Sequence, residues 1–359
     1  MAREHPESGK RRSVERGDLE RAATRHARRT KPRGLHLFLH EPLRGLVRAN
    51  RPPGSVRRPL GNRCSGLDVS FCAFAFLLLF LGTSSTSWAA DAPATTSAAA
   101  PVSPDIVSQQ DIVYGQVLGA ALLADIAYPK APKGKSPAIL SVHGGRWMRG
   151  TKRDNGAINV DQWAGLGFVA MTINYRLRDC SPPPACYQDV QCAIRYLHAH
   201  AEQYNLDGNR VFLIGQSAGG HMVSLAATMG NGDLPLTGGW QTASNNFRAA
   251  ICVSGAYDLK ALNWGNLWTP AGVDPELARE IASPIRYAKP GMQPLLIFHA
   301  DNDKSVPIAN ALAMVKVLEE RKCPHVFHHY ETNGHMKISP EVIEKSLAFI
   351  RKVSEPPAD

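Results

Sequence analysis

The chain lacks the residue spacings that hold a metal. Its seven cysteines include no C-x-x-C or comparable pair. His198 and His200, two apart on a helical pattern, do not share a face. No segment repeats at a fixed period, which excludes a solenoid or propeller. Apolar runs are short, and even Phe71–Leu81 falls well under the ~20 residues of a bilayer-spanning helix. Excess charge is also missing from most of the chain. The formal net charge is +10, and all of it lies in residues 1–70, where 17 Lys or Arg face 7 Asp or Glu; residues 71–359 hold 24 of each. The high pI therefore implies no nucleic-acid groove in the folded part, and no interleaving of aromatic and basic residues suggests one.

What is present begins with an Arg-, Pro- and Gly-rich stretch, residues 1–70, without apolar periodicity. It cannot bury enough surface to offset the entropy of ordering it and is expected to be disordered. Phe71–Leu81 has the length of a signal-peptide hydrophobic region, and Ser87-Trp88-Ala89 fits the small-x-small cleavage pattern. The expected organisation is a basic region (1–70), a signal-peptide-like segment (71–90), an Ala/Pro/Ser/Thr linker (91–110) and a folded domain (111–356). This implies export to the periplasm or the medium. The basic region is longer than a signal peptide uses. Either translation starts downstream of Met1, or the segment is an uncleaved membrane anchor with a basic cytoplasmic tail. In an oxidising compartment, Cys180 and Cys186 are expected to close the loop Ser181–Ala185 as a disulfide.

From residue 111 onward, short apolar runs alternate with helical patterns, the signature of crossover units around a mostly parallel sheet. The runs are Ala121–Ala127, Ala138–Val142, Phe168–Tyr175, Val211–Ile214, Ala249–Ser254, Leu295–Phe298 and Val326–Tyr330. Most are rich in Val, Ile, Leu and Phe without alternation, as strands covered on both faces should be. Helices are predicted over Tyr187–Tyr204, Ala218–Met229, Ile308–Glu320 and Pro340–Val353. Leu259–Pro290 breaks the rhythm with Trp264, Trp268 and several Gly and Pro, and reads as an insertion with a short helix over Pro275–Ile281.

Gly215-Gln216-Ser217-Ala218-Gly219 follows one apolar run and opens a helical pattern. In that context the motif is a tight strand-to-helix turn that holds the serine oxygen clear of the sheet, with no room for Cβ atoms at Gly215 and Gly219. A serine hydroxyl needs a base to take its proton, and the base needs an orienting group. After Leu295–Phe298 comes His299-Ala300-Asp301-Asn302-Asp303, and after Val326–Tyr330 comes Gly334-His335. The order Ser217, acid, His335 is the one this chemistry uses on such a sheet. Asp303 is preferred to Asp301 because it lies closer to the helix that Pro307 opens. His325, His328 and His329 lie on or beside a strand and are assigned structural parts. Donors for a carbonyl oxyanion should follow another strand. His143-Gly144-Gly145-Arg146-Trp147 does so, making the N–H groups of Gly144, Gly145, Arg146 and Ala218 the candidates.

Together with Asn174-Tyr175-Arg176 and Gly220-His221, these five motifs resemble the α/β-hydrolase carboxylesterases related to hormone-sensitive lipase. The resemblance is strongest to the branch of bacterial feruloyl/acetyl esterases and isoprenylcysteine methylesterases, and it spans Asp111–Val353. It implies an α/β-hydrolase fold, with a mostly parallel central sheet, helices on both faces and a short inserted cap. It further implies hydrolysis of small short-acyl carboxylic esters, a Ser217–Asp303–His335 triad and no cofactor. One departure is Arg146, which stands where lipase-like members carry a third glycine; the backbone N–H survives, but the pocket acquires a long cation. Two other readings remain open. The same triad also serves an amidase or arylformamidase, and a hydrolase fold also serves as a non-catalytic binding module.

Overall fold

The computed structural model describes residues 105–154 and 156–355. The basic stretch, the signal-like segment and most of the linker lie outside the described residues.

Among the described residues eight strands form one sheet in the order β1-β2-β4-β3-β5-β6-β7-β8. They are β1 (Ile106–Val117), β2 (Ala120–Pro129), β3 (Ser136–Val142), β4 (Val169–Ile173), β5 (Leu206–Gln216), β6 (Ala249–Val253), β7 (Leu295–Ala300) and β8 (His325–Tyr330). Strand β2 pairs antiparallel with both β1 and β4, and every pairing from β4 through β8 is parallel. The helices are α1 (Val160–Gly165), α2 (Ala185–Ala199), α3 (Ala218–Met229), α4 (Pro275–Ile281), α5 (Pro284–Tyr287), α6 (Ile308–Glu320) and α7 (Pro340–Ser354).

Strands β6 and β7 are buried along their whole length, as are β3 apart from Pro137 and the Val211–Gln216 part of β5, and their alternate side chains feed two separate cores. On one face Leu140, Val142, Val211 and Leu213 meet Val190 and Ile194 of α2, Met222 and Val223 of α3, and Met314 and Leu318 of α6. On the other, Ile139, Phe212, Ile214 and Ile251 meet Trp163 of α1 and Val342, Phe349 and Ile350 of α7. Continuous Val/Ile/Leu runs are what strands in a three-layer sandwich require, since both faces exclude water.

This topology decides where a ligand can bind. After β3 the chain crosses by α1 on one face to β4; after β5 it crosses by α3 on the opposite face to β6. The crossovers diverge between β3 and β5, which opens a crevice at the carboxyl ends of these two strands. Gly144 and Ser217 both sit there, directly after β3 and β5.

Several boundaries differ from expectation. Strand β1 begins at Ile106, so the last five residues of the stretch read as linker are sheet. Its two register shifts against β2 and its half-exposed edge position erase any clean period. Helix α2 ends at Ala199 rather than Tyr204, because the chain turns through Asn205 at φ 48° to begin β5 at Leu206. The six-residue α1 is too short to show a period; Asn159 caps it by accepting from the N–H of Asp161 and Gln162. Cys180 and Cys186 are both free thiols, contrary to the expected disulfide. Cys180 is exposed while Cys186 is buried in the first turn of α2, and burial pushes its thiol well up.

Candidate active site

Ser217 occupies the junction between β5 and α3 with φ 55° and ψ −116°, a conformation a non-glycine residue adopts only where the surroundings enforce it. They do so through the adjacent backbone. The Ser217 N–H donates to Val253 O at 2.9 Å. A Cβ on Gly219 would collide with the Val142 carbonyl, and one on Gly215 with the Gly219 carbonyl, so the turn is as tight as its glycines predict.

His335 lies on the loop between β8 and α7. Its Nδ1 is 2.8 Å from Asp303 Oδ2 and 3.1 Å from Oδ1. Asp303 Oδ1 also accepts from the N–H of Ser305 (2.8 Å) and Val306 (3.0 Å). Burial alone would raise the Asp303 carboxyl, but the bonds from His335 and the two backbone N–H groups outweigh it and hold the carboxyl below its ordinary range. An ionised carboxylate can only accept, so Nδ1 of His335 is the nitrogen that donates to it. Asp301 makes a different contact, at 2.6 Å to Nε2 of His329 on the exposed surface. The structure thus brings His335 to Asp303 and not to Asp301. His328 stacks on Phe298 and His325 bonds the Cys323 carbonyl, in keeping with structural parts.

The loop after β3 lies against Ser217, since a Cβ on Gly144 would sit 3.1 Å from Ser217 Cβ. Gly145, Arg146 and Trp147 follow with φ of 111°, 54° and 59°. No described residue accepts from the N–H of Gly145, Arg146 or Ala218. Of these groups, the N–H of Ala218 is next to the serine, and those of Gly145 and Arg146 are on the loop that meets Ser217 at Gly144.

Supports for this geometry include residues whose parts the sequence did not reveal. Gln216 Nε2 donates to Met336 O at 3.1 Å, and Met336 N–H donates to Ser254 Oγ at 2.9 Å, which together hold the His335 loop against β5 and β6. Tyr175 O–H lies 3.2 Å from the carbonyls of both His143 and Gly144 and stacks on the His143 ring, bracing the glycine loop. Arg176 forms an ion pair with buried Asp189 at the start of the next helix. In the sequence these two stood out only within the Asn174-Tyr175-Arg176 motif of the resemblance, which assigned neither a part. His299 is buried under the acid loop, where its Nε2 donates to Val306 O at 2.8 Å.

The insertion closes over one flank. Trp264 and Trp268 pack against Trp147, with ring centroids 5.5 and 5.2 Å away. Trp268 also meets His221, one turn along α3 from Ser217, at 4.8 Å. Trp264 Nε1 donates to Ser305 O at 2.9 Å, tying the insertion to the Asp303 loop. A cavity of about 430 Å³ lies elsewhere, lined by Asp125, Lys152, Arg153, Trp163 and Ile338, and does not reach Ser217. Among the described residues no group of His, Cys, Asp and Glu is placed to hold a metal ion.

The BD-FAE family profile matches residues 124–318. The chain belongs to the BD-FAE family. Among curated relatives, it is 29% identical over 231 residues to LipM, a probable carboxylic ester hydrolase of Mycobacterium tuberculosis, covering 60% of this chain and 53% of LipM. It is 24% identical over 232 residues to a probable isoprenylcysteine alpha-carbonyl methylesterase of Arabidopsis thaliana, covering 59% of this chain and 47% of that protein. The chain spans about half the length of the curated relatives it matches. Among solved structures, a truncated carbohydrate esterase from gut microbiota superposes with a TM-score of 0.62 at 22% identity, covering 71% of this chain and 98% of the other. The butyrate-bound esterase 2 of Thermogutta terrifontis superposes with a TM-score of 0.59 at 20% identity, covering 72% and 97%. These likenesses show the α/β-hydrolase fold for this BD-FAE member.

Proposed function

We propose that this BD-FAE protein is a serine carboxylesterase acting on small short-acyl esters. The observation that carries the reading is the bond from His335 to Asp303, made beside a serine held at positive φ between β5 and α3. In the proposed cycle His335 Nε2 takes the Ser217 hydroxyl proton as Oγ attacks the ester carbonyl. The oxyanion is held by the N–H groups of Gly145, Arg146 and Ala218, with Gly144 giving the close backbone approach; each such donor is worth about 3–4 kcal/mol in related chemistry. The proton on His335 leaves with the alcohol. Water then yields its proton to the same nitrogen and attacks the acyl-enzyme, and that proton passes to Ser217 Oγ as its bond to the acyl carbon breaks and the acid leaves. Asp303 keeps the imidazole in the tautomer that does this and stabilises its charged form. Ser217 Oγ makes no hydrogen bond to a described residue, and in unliganded enzymes this contact often tightens only with substrate.

Short acyl chains are favoured by the packing of Trp147, Trp264 and Trp268, which fill the flank beside the glycine loop. The names of the relatives agree with an ester substrate. The amidase reading uses the same residues, and no contact in the site favours it. The test is turnover of para-nitrophenyl esters of increasing acyl length by the full chain, with Ser217→Ala and an anilide alongside. Turnover that needs Ser217 and declines with length is expected; turnover that survives Ser217→Ala refutes the assignment.

A further inference from the structure

Arg146 is spread over Trp264, with its guanidinium carbon 5.3 Å from the ring centroid. We infer that it forms a carboxylate subsite at the rim of the Ser217 site, so that the preferred substrates carry an anionic group. This deepens the esterase reading and rests on it for the reaction, though not for the binding.

The position is costly for an arginine. Arg146 and Trp147 are consecutive non-glycine residues in the left-handed region, which glycine would occupy without strain. The ring beneath is anchored twice, by the bond from Trp264 Nε1 to Ser305 and by contact with Trp147. Ser305 N–H in turn donates to Asp303. The guanidinium therefore sits on a fixed platform joining the glycine loop to the acid loop. No described residue accepts from its side-chain N–H groups, and that planar fork matches a carboxylate bidentately.

No carboxylate of the described residues claims it. The acids of the insertion are engaged elsewhere: Glu276 pairs with Arg279, Glu280 with Arg286 and Lys260, and Asp274 caps α4. Asp303 is buried and bonded to His335, Ser305 and Val306. A strong cation kept unpaired on an aromatic platform beside a candidate nucleophile fits an anion delivered by the ligand.

The carboxylate belongs either to the acyl group or to the alcohol, and two substrate pairs separate these. One is para-nitrophenyl hydrogen glutarate against its primary amide; the other is para-acetoxybenzoate against para-acetoxybenzamide. In at least one pair kcat/KM of the wild type is expected to favour the acid by about tenfold, the scale of one good charge-assisted contact. Arg146→Gln should bring that ratio near one, any general loss of rate cancelling between acid and amide; Arg146→Lys should retain part of it, and added salt should shrink it. A second arm needs no turnover. Glutarate and benzoate are titrated into the Ser217→Ala full chain by tryptophan fluorescence, with and without Arg146→Gln. If esters turn over but neither acid is preferred or bound through Arg146, the inference falls and the esterase reading stands. If no ester turns over but a carboxylate binds and Arg146→Gln abolishes it, the subsite stands and the esterase reading falls.

Discussion

Gln216 Nε2 donates to the Met336 carbonyl at 3.1 Å, so the residue before Ser217 holds the residue after His335. The other end of its amide occupies the space into which a Cβ on Gly144 would project. One side chain thus sets the spacing of the nucleophile turn, the glycine loop and the histidine loop. Gln216→Leu should lower kcat by about tenfold or more with a smaller effect on KM, since a misplacement of ~1 Å is costly to catalysis. The lost bond should also cost about 1 kcal/mol of stability. Steady-state kinetics and urea unfolding on the same variant check both.

Asp303 and Asp301 are two residues apart, but only Asp303 bonds His335. Asp303→Asn should lower kcat by roughly 10³- to 10⁴-fold, as expected when the imidazole tautomer is no longer enforced. Asp301→Asn removes one exposed pair with His329 and should stay within about threefold. Rates on one activated ester, measured side by side, decide this; equal losses would remove Asp303 from its assigned place.

Acid should destabilise the insertion through His221. Burial lowers its imidazole from 6.5 to about 4. Its Nε2 donates to Ala282 O at 2.8 Å, leaving Nδ1 bare among Trp147 and Trp268. Between these two pH values the unfolded chain binds a proton that the folded one refuses, so stability falls as pH drops from 6.5 toward about 4. The full effect is about 3 kcal/mol. His221→Gln cannot titrate, and its urea midpoint should show a flatter slope across this window than the wild type.

Gly219→Ala should abolish soluble folded protein. Its Cβ would enter the Val142 carbonyl, and both partners are backbone of the central sheet and the nucleophile helix, neither of which can yield. The expected readout is loss of the cooperative thermal transition. A variant that folds and melts like the wild type would show that the turn is looser than described.

How much of this was legible in the sequence depended on how local the cause was. The parallel strands announced themselves as unbroken apolar runs because both faces are buried, and α3, α4 and α6 start and stop where their periodic residues and prolines place them. The turn at Ser217 was legible because its glycines answer to collisions within a few residues. Strand β1 was not, because its half-exposed side chains and two register shifts leave no period to detect.

Residue order along the chain determined the sheet and put Ser217, the pair Asp301 and Asp303, and His335 at strand ends, since each of these placements rests on short-range chemistry. Only the tertiary structure decided what links those ends. Gln216 meets Met336, Tyr175 braces Gly144, and Trp264 carries Arg146. These pairs lie 120, 31 and 118 positions apart or are brought together by an insertion without regular structure. Contacts of that separation leave no spacing in the sequence, because packing and not chain geometry brings them within reach. The free thiols of Cys180 and Cys186 have the same origin: they are near in sequence, but burial of Cys186 in the first turn of α2 was set by the core beneath it.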